Sequence, residues 1–65
     1  MKYNVGDVRY EKGVSLRKLA QQARISKSYL QKIEAGEAKP SLEIMVRIAR
    51  VLESPLDKLY QVEKT

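Results

Sequence analysis

Cysteine and histidine are both absent from this chain of 65 residues. Without cysteine there is no disulfide framework and no thiolate metal site. Without histidine the usual general base near neutral pH and the commonest metal ligand are missing. Tryptophan and phenylalanine are absent too, and the four aromatic residues are tyrosines at scattered positions. That scatter offers no stacking platform of the kind that grips single-stranded RNA. No apolar run approaches the ~18 residues of a membrane span, and no charged-then-apolar leader resembles a signal peptide. Carboxylates such as Glu34 and Glu37 exist, but no nucleophile–base pair or ligand cluster accompanies them. An enzyme is therefore the least supported class, and no cofactor, metal, membrane or small-molecule ligand is expected. A reduced, cytoplasmic location is the expectation.

What the chain has is positive charge in one place. Residues 1–11 carry two cationic and two anionic side chains, and residues 40–65 carry four of each. Residues 12–39 carry seven cations against two anions, so the surplus behind the net charge of +5 lies wholly there. A basic surface raises the local concentration of polyanions and speeds encounter with them. The length suits one domain, residues 1–65 with a core from about 4 to 60, near the lower limit for a hydrophobic core without staples. On that reading almost no chain is left over for an effector or catalytic domain. Residues 61–65 are expected to fray.

Capping and stop signals divide the chain into five helices with no strands. Asn4-Val5-Gly6-Asp7 has the form of a capping box, opening a helix over about 5–12 that stops at Gly13. Ser15 precedes a second helix over about 16–23, and Ser26 a third over about 27–35 ended by Gly36. The Lys39-Pro40 step excludes continuation, and Ser41 caps a fourth helix over about 42–52. Ser54-Pro55-Leu56-Asp57 is expected to open a fifth, with proline at the first helical position. Gly6 inside the first helix costs roughly 1 kcal/mol relative to alanine. The expected core is Val8, Val14, Leu19, Ala20, Ala23, Ile25, Leu30, Ile33, Leu42, Met45, Ile48, Ala49, Leu52 and Leu59. On the fourth helix a second apolar row, Ile44, Ile48 and Val51, lies beside the stripe of Leu42, Met45, Ala49 and Leu52. One small domain rarely buries both rows. Ile44, Val51, Leu56 and Tyr60, with Val62 nearby in sequence, are expected to form a homodimer interface.

Residues 15–36 carry most of the functional information. They read as two short helices joined by a tight turn, with an apolar seam of Leu30 and Ile33 on the second and a polar face of Lys27, Ser28, Gln31 and Lys32. A helix of that kind, held out by a compact partner, is shaped to enter the major groove of double-stranded DNA. The pattern V-S-x-x-x-L-A-x-x-A-x-I-S-x-S-Y-L-x-K-I-E-x-G-x-x-x-P-S-L, running from Val14 to Leu42, resembles the Cro/repressor-type helix-turn-helix family, also called the XRE family. The likeness extends more loosely from about Val5 to Tyr60.

The resemblance implies an all-α, five-helix, lambda-repressor-like domain. It also implies a sequence-specific regulator of transcription, a homodimeric repressor or small controller protein reading a two-fold symmetric operator. By the same resemblance Lys27, Ser28 and Lys32 match base-reading positions, with Gln31 beside them. Lysine can donate to guanine, glutamine to adenine, and serine to either edge. The amides at Ser15-Leu16-Arg17, the Tyr29 hydroxyl and Lys39 are the expected phosphate contacts, with Lys12 a weaker one. Arg9 and Glu34 match a structural ion pair between the first and third helices. The turn between the second and third helices, where the family usually holds glycine, has Arg24. Ser54 stands where the family often has an aliphatic residue. The alternative reading is a protein-interaction module on the same fold, such as an antitoxin or anti-repressor.

Overall fold

Among the described residues, three serines open three of the four α-helices. In the computed structural model, which describes residues 2–61, the Ser15 hydroxyl accepts from the Lys18 amide at 3.1 Å, Ser26 from Tyr29 at 3.0 Å and Ser41 from Ile44 at 3.2 Å. All three sit in extended backbone, the conformation that aims a short hydroxyl at a free amide of the first helical turn. Helices α1 (Val5–Glu11), α2 (Leu16–Ala23), α3 (Lys27–Glu34) and α4 (Leu42–Leu52) follow in order. α2 packs against both α3 and α4, and α1 lies across α3 and α4.

α1 starts differently from expectation. Asn4 makes no side-chain cap, and the box with Asp7 does not form. The backbone amide of Asn4 donates instead to the Leu59 carbonyl at 2.7 Å. That bond continues a two-residue antiparallel ladder between β1 (Lys2–Tyr3) and β2 (Tyr60–Gln61), with Tyr3 opposite Tyr60 and Lys2 opposite Gln61. The ladder fixes Asn4 at φ −102° and ψ 23°, outside the extended conformation in which its side chain could reach the helix. Residues 62–65, including Val62, lie outside the described residues.

All four helices end on a left-handed residue: Gly13 (φ 69°), Arg24 (φ 60°), Gly36 (φ 78°) and Glu53 (φ 51°). Each end is closed by two backbone bonds folding back on the last turn, as in Arg24 to Gln21 and Ile25 to Ala20. Glycine takes this conformation freely, whereas Arg24 and Glu53 each bear a cost of about 1 kcal/mol. The fifth helix is a correction. Residues Leu56–Lys58 make one 3-10 turn, because only three residues separate Pro55 from the approach to β2. Asp57 forms no capping box there.

The buried core is contiguous: Val5, Leu19, Leu30, Ile33, Ile48, Leu52 and Leu59 are fully enclosed, with Val8, Ala20, Ala23, Met45 and Ala49 around them. Three expectations shift. Leu42 is 70% exposed, since it is the first residue of α4 and overhangs the helix start rather than facing the core. Val14 and Ile25 are half-buried at the edge of the core. Val5, left out of the expected core, is completely buried. Ile48 belongs to the core, so Ile44 and Val51 alone remain half-exposed from the second row of α4.

Candidate nucleic-acid interface

Helix α3 is divided cleanly by burial. Leu30 and Ile33 are buried against the α2 residues Leu19, Ala20 and Ala23, which fixes the rotation of the helix about its axis. Lys27, Ser28, Gln31 and Lys32 are all exposed. Spaced at i, i+1, i+4 and i+5, they share the face opposite the seam. Among the described residues none of these four side chains hydrogen-bonds or ion-pairs with another protein group. Their donors and acceptors are therefore turned to solvent or to a ligand.

The residues expected to contact phosphate surround that helix in sequence, and their environments differ. Ser15 Oγ is engaged by the Lys18 amide, so the Leu16 and Arg17 amides are the ones that α2 leaves without an intrahelical acceptor. Leu16 packs its side chain against the core while Arg17 is exposed beside it. Tyr29 is half-buried, its ring against the core. Lys12 and Lys39 are exposed.

The pair formed by Arg9 and Glu34 has more partners than the sequence indicated. Arg9 donates to both carboxylate oxygens of Glu34, Nε to Oε2 at 2.9 Å and Nη2 to Oε1 at 3.1 Å, and its Nη1 donates to the Val14 carbonyl at 3.1 Å. Both side chains are largely shielded, 21% and 16% exposed. A bidentate guanidinium–carboxylate contact fixes orientation as well as distance. One residue therefore ties together α1, α3 and the loop between α1 and α2. Gly6 explains the rest of the junction: a Cβ there would lie 3.0 Å from Glu34 Oε1. Sequence alone showed only the propensity cost of that glycine, not the carboxylate it seats.

The four residues expected at a dimer interface are not brought together as one row. Leu56 and Tyr60 line an apolar groove of about 480 Å³ with Tyr3, Pro40, Leu42 and Met45, and Lys39 stands at its edge. Val51 lines a different cleft, beside Arg47 and Arg50. Ile44 is half-buried and lines neither. The exposed apolar residue that sequence reasoning missed is Leu42. Among the described residues no group of three or more carboxylate, cysteine or histidine side chains could hold a metal, and no helix is long and apolar enough to cross a membrane.

A helix-turn-helix family model matches residues 7–59, and the chain belongs to that family. Among curated proteins it is 41% identical to the transcriptional regulator ClgR of Mycobacterium tuberculosis, over 80% of this chain and 50% of that protein. It is 39% identical to the HTH-type transcriptional regulator SlrR of Bacillus subtilis, over 85% of this chain and 37% of that protein. The chain thus spans half the length or less of these curated relatives. Among solved structures it is similar to SinR, the master regulator for biofilm formation, in complex with DNA. That likeness has a TM-score of 0.77 at 34% identity, covering 83% of this chain and 87% of that one.

Proposed function

We infer that this chain is the DNA-binding unit of a transcriptional regulator and that it reads duplex DNA with α3. The observation that carries the reading is the division of α3: two residues locked into the core, and four polar side chains exposed together without protein partners. Family membership and the likeness to SinR solved with DNA support it. Lys27, Ser28, Gln31 and Lys32 then contact base edges. The Leu16 and Arg17 amides, the Arg17 and Lys39 side chains and the Tyr29 hydroxyl hold phosphates. Arg9 and Glu34 position α3 and touch no DNA.

A homodimer completes the reading. The domain measures 35 × 21 × 19 Å and carries one α3. Reading two major-groove faces on one side of the duplex, about 34 Å apart, therefore takes two copies. The groove of Tyr3, Leu42, Met45, Leu56 and Tyr60 is the apolar surface available for that contact, in place of a row through Ile44 and Val51. The same groove is what an interaction module would use, so the test must separate the two. Selection from random duplex DNA at physiological ionic strength, where non-specific attraction is screened, is expected to enrich an inverted repeat. A folded protein that enriches nothing would abandon base reading in favour of a protein partner at the groove. Repression, through occupancy of a promoter, is the role proposed for the bound dimer.

A further inference from the structure

Two clefts outside α3 carry opposite charge. The first, of about 250 Å³, is lined by Gln22, Ala23, Arg24, Arg47, Arg50 and Val51. Three of the five arginines in the chain meet there, drawn from the end of α2 and from α4. Glu43 accepts from Arg47 at 2.7 Å, so among the described residues one of the three positive charges is paired and two are not. Ala23 and Val51 give the cleft an apolar floor. Arg24 holds its place at φ 60°, a conformation disfavoured for a side chain with a Cβ.

The second cleft, of about 610 Å³, is lined by Asp7, Glu11, Asp57 and Lys58 around Val8 and Tyr60, with Asn4 at its side. Three carboxylates against one ammonium leave two negative charges. The clefts share no lining residue. Arginine forks pair with carboxylates in fixed geometry and are enriched at protein interfaces, where lysine is depleted. By contrast, the outer face of α3 uses lysine alone as its cation.

We propose that the arginine cleft of one copy receives the acidic cleft of a second copy of this chain, a contact separate from the apolar groove. It goes beyond the proposed DNA reading, and its test does not involve DNA. Such a contact joins unlike surfaces, so each copy keeps one cleft of each kind open and association can continue along a row. The net charge of +5 opposes the approach of free copies. A polyanion that neutralises the excess removes that opposition, so the row forms best on a duplex, where it would produce cooperative occupation of neighbouring sites.

The test exchanges charges at exposed positions. Arg24→Glu with Arg50→Glu makes both clefts acidic and lowers the net charge from +5 to +1; Glu11→Arg with Asp57→Arg makes both basic and raises it to +9. Circular dichroism verifies that both variants fold, and single reversals replace any that do not. Sedimentation of the full chain is expected to show that each variant, while keeping the groove dimer, forms larger species at least about tenfold more weakly than the parent. An equimolar mixture is expected to regain association, with the two variants sedimenting together. Net charge alone predicts the reverse order, with the +1 variant associating most readily with itself. Self-association of that variant at the parental level, or a mixture no better than its components, overturns the proposal.

Discussion

The α1–α3 junction, held at Glu34, and the outer face of α3 belong to one eight-residue helix. Both are polar, and they are built in opposite ways. At the junction, Arg9 donates to both oxygens of Glu34 and to the Val14 carbonyl, and Gly6 removes the one Cβ that would crowd the carboxylate. On the outer face, Lys27, Ser28, Gln31 and Lys32 bond to no protein group among the described residues. Polar groups satisfied inside the protein set the orientation of α3, and polar groups left unsatisfied are free for a partner. Substitutions at the two places should therefore separate stability from binding.

Glu34→Ala should have the largest effect on stability. It leaves the Arg9 guanidinium four-fifths shielded with one acceptor, a loss of about 2–3 kcal/mol. For a domain of this size that is a fall in melting temperature of roughly 10 °C or more. A change of only a few degrees in a thermal melt would show that α1 is held by the Val5 and Val8 contacts and not by the ion pair. On the outer face, Lys32→Ala should leave the melt within about 0.5 kcal/mol of the parent. It should weaken binding to the selected operator by about 1–3 kcal/mol and relax preference at one base pair. Arg17→Ala should weaken all sequences alike and flatten the salt dependence. Equal losses on operator and on random DNA from both changes would remove the distinction between base readers and phosphate contacts.

Arg24→Gly tests the turn that joins α2 to α3. The left-handed φ of 60° costs arginine about 1 kcal/mol, part of which glycine returns through its freer unfolded chain. The net expectation is a gain of a few tenths to about 1 kcal/mol, read as a rise in melting temperature. A fall would mean that the Arg24 side chain contributes more than its backbone costs. Glu53→Gly, at φ 51° on the last turn of α4, is the matched control for that backbone term.

Much of this architecture was legible because short signals fix it locally. Ser15, Ser26 and Ser41 mark helix starts, while Gly13 and Gly36 mark helix ends, and each acts within four residues of itself. The division of α3 was legible for the same reason, whereas the left-handed turn at Arg24 was legible only through the glycine that the family usually holds there. What was hidden depends on residues far apart in the chain. Leu42 fits the apolar stripe of α4, but periodicity does not register that the first residue of a helix overhangs its neighbours. Pro55 and Asp57 have the composition of a helix start, yet the pairing of Tyr60 with Tyr3 leaves room for one 3-10 turn. Two-residue strands carry no period at all. Arg47 and Arg50 are visibly one turn apart, but their meeting with Arg24 needs the packing of α2 on α4.

Gly6 gives the smallest and sharpest test of the junction. Its helical position makes alanine worth roughly 1 kcal/mol in propensity. Its Cβ would stand 3.0 Å from Glu34 Oε1 and 3.4 Å from Cδ, so the carboxylate must move for the methyl group to fit. A free glutamate would swing away at little cost, but this one is held at both oxygens by Arg9. Gly6→Ala alone should therefore lower stability, by less than about 1 kcal/mol after the propensity gain. In the Glu34→Ala background the obstacle is gone, and the same change should raise stability by about 1 kcal/mol. The reversal of sign is the diagnostic result, read from melting temperatures of the four variants in one double-mutant cycle. The same sign in both backgrounds would mean that the Glu34 carboxylate yields freely, and that Arg9 holds α3 less tightly than two bonds near 3 Å imply.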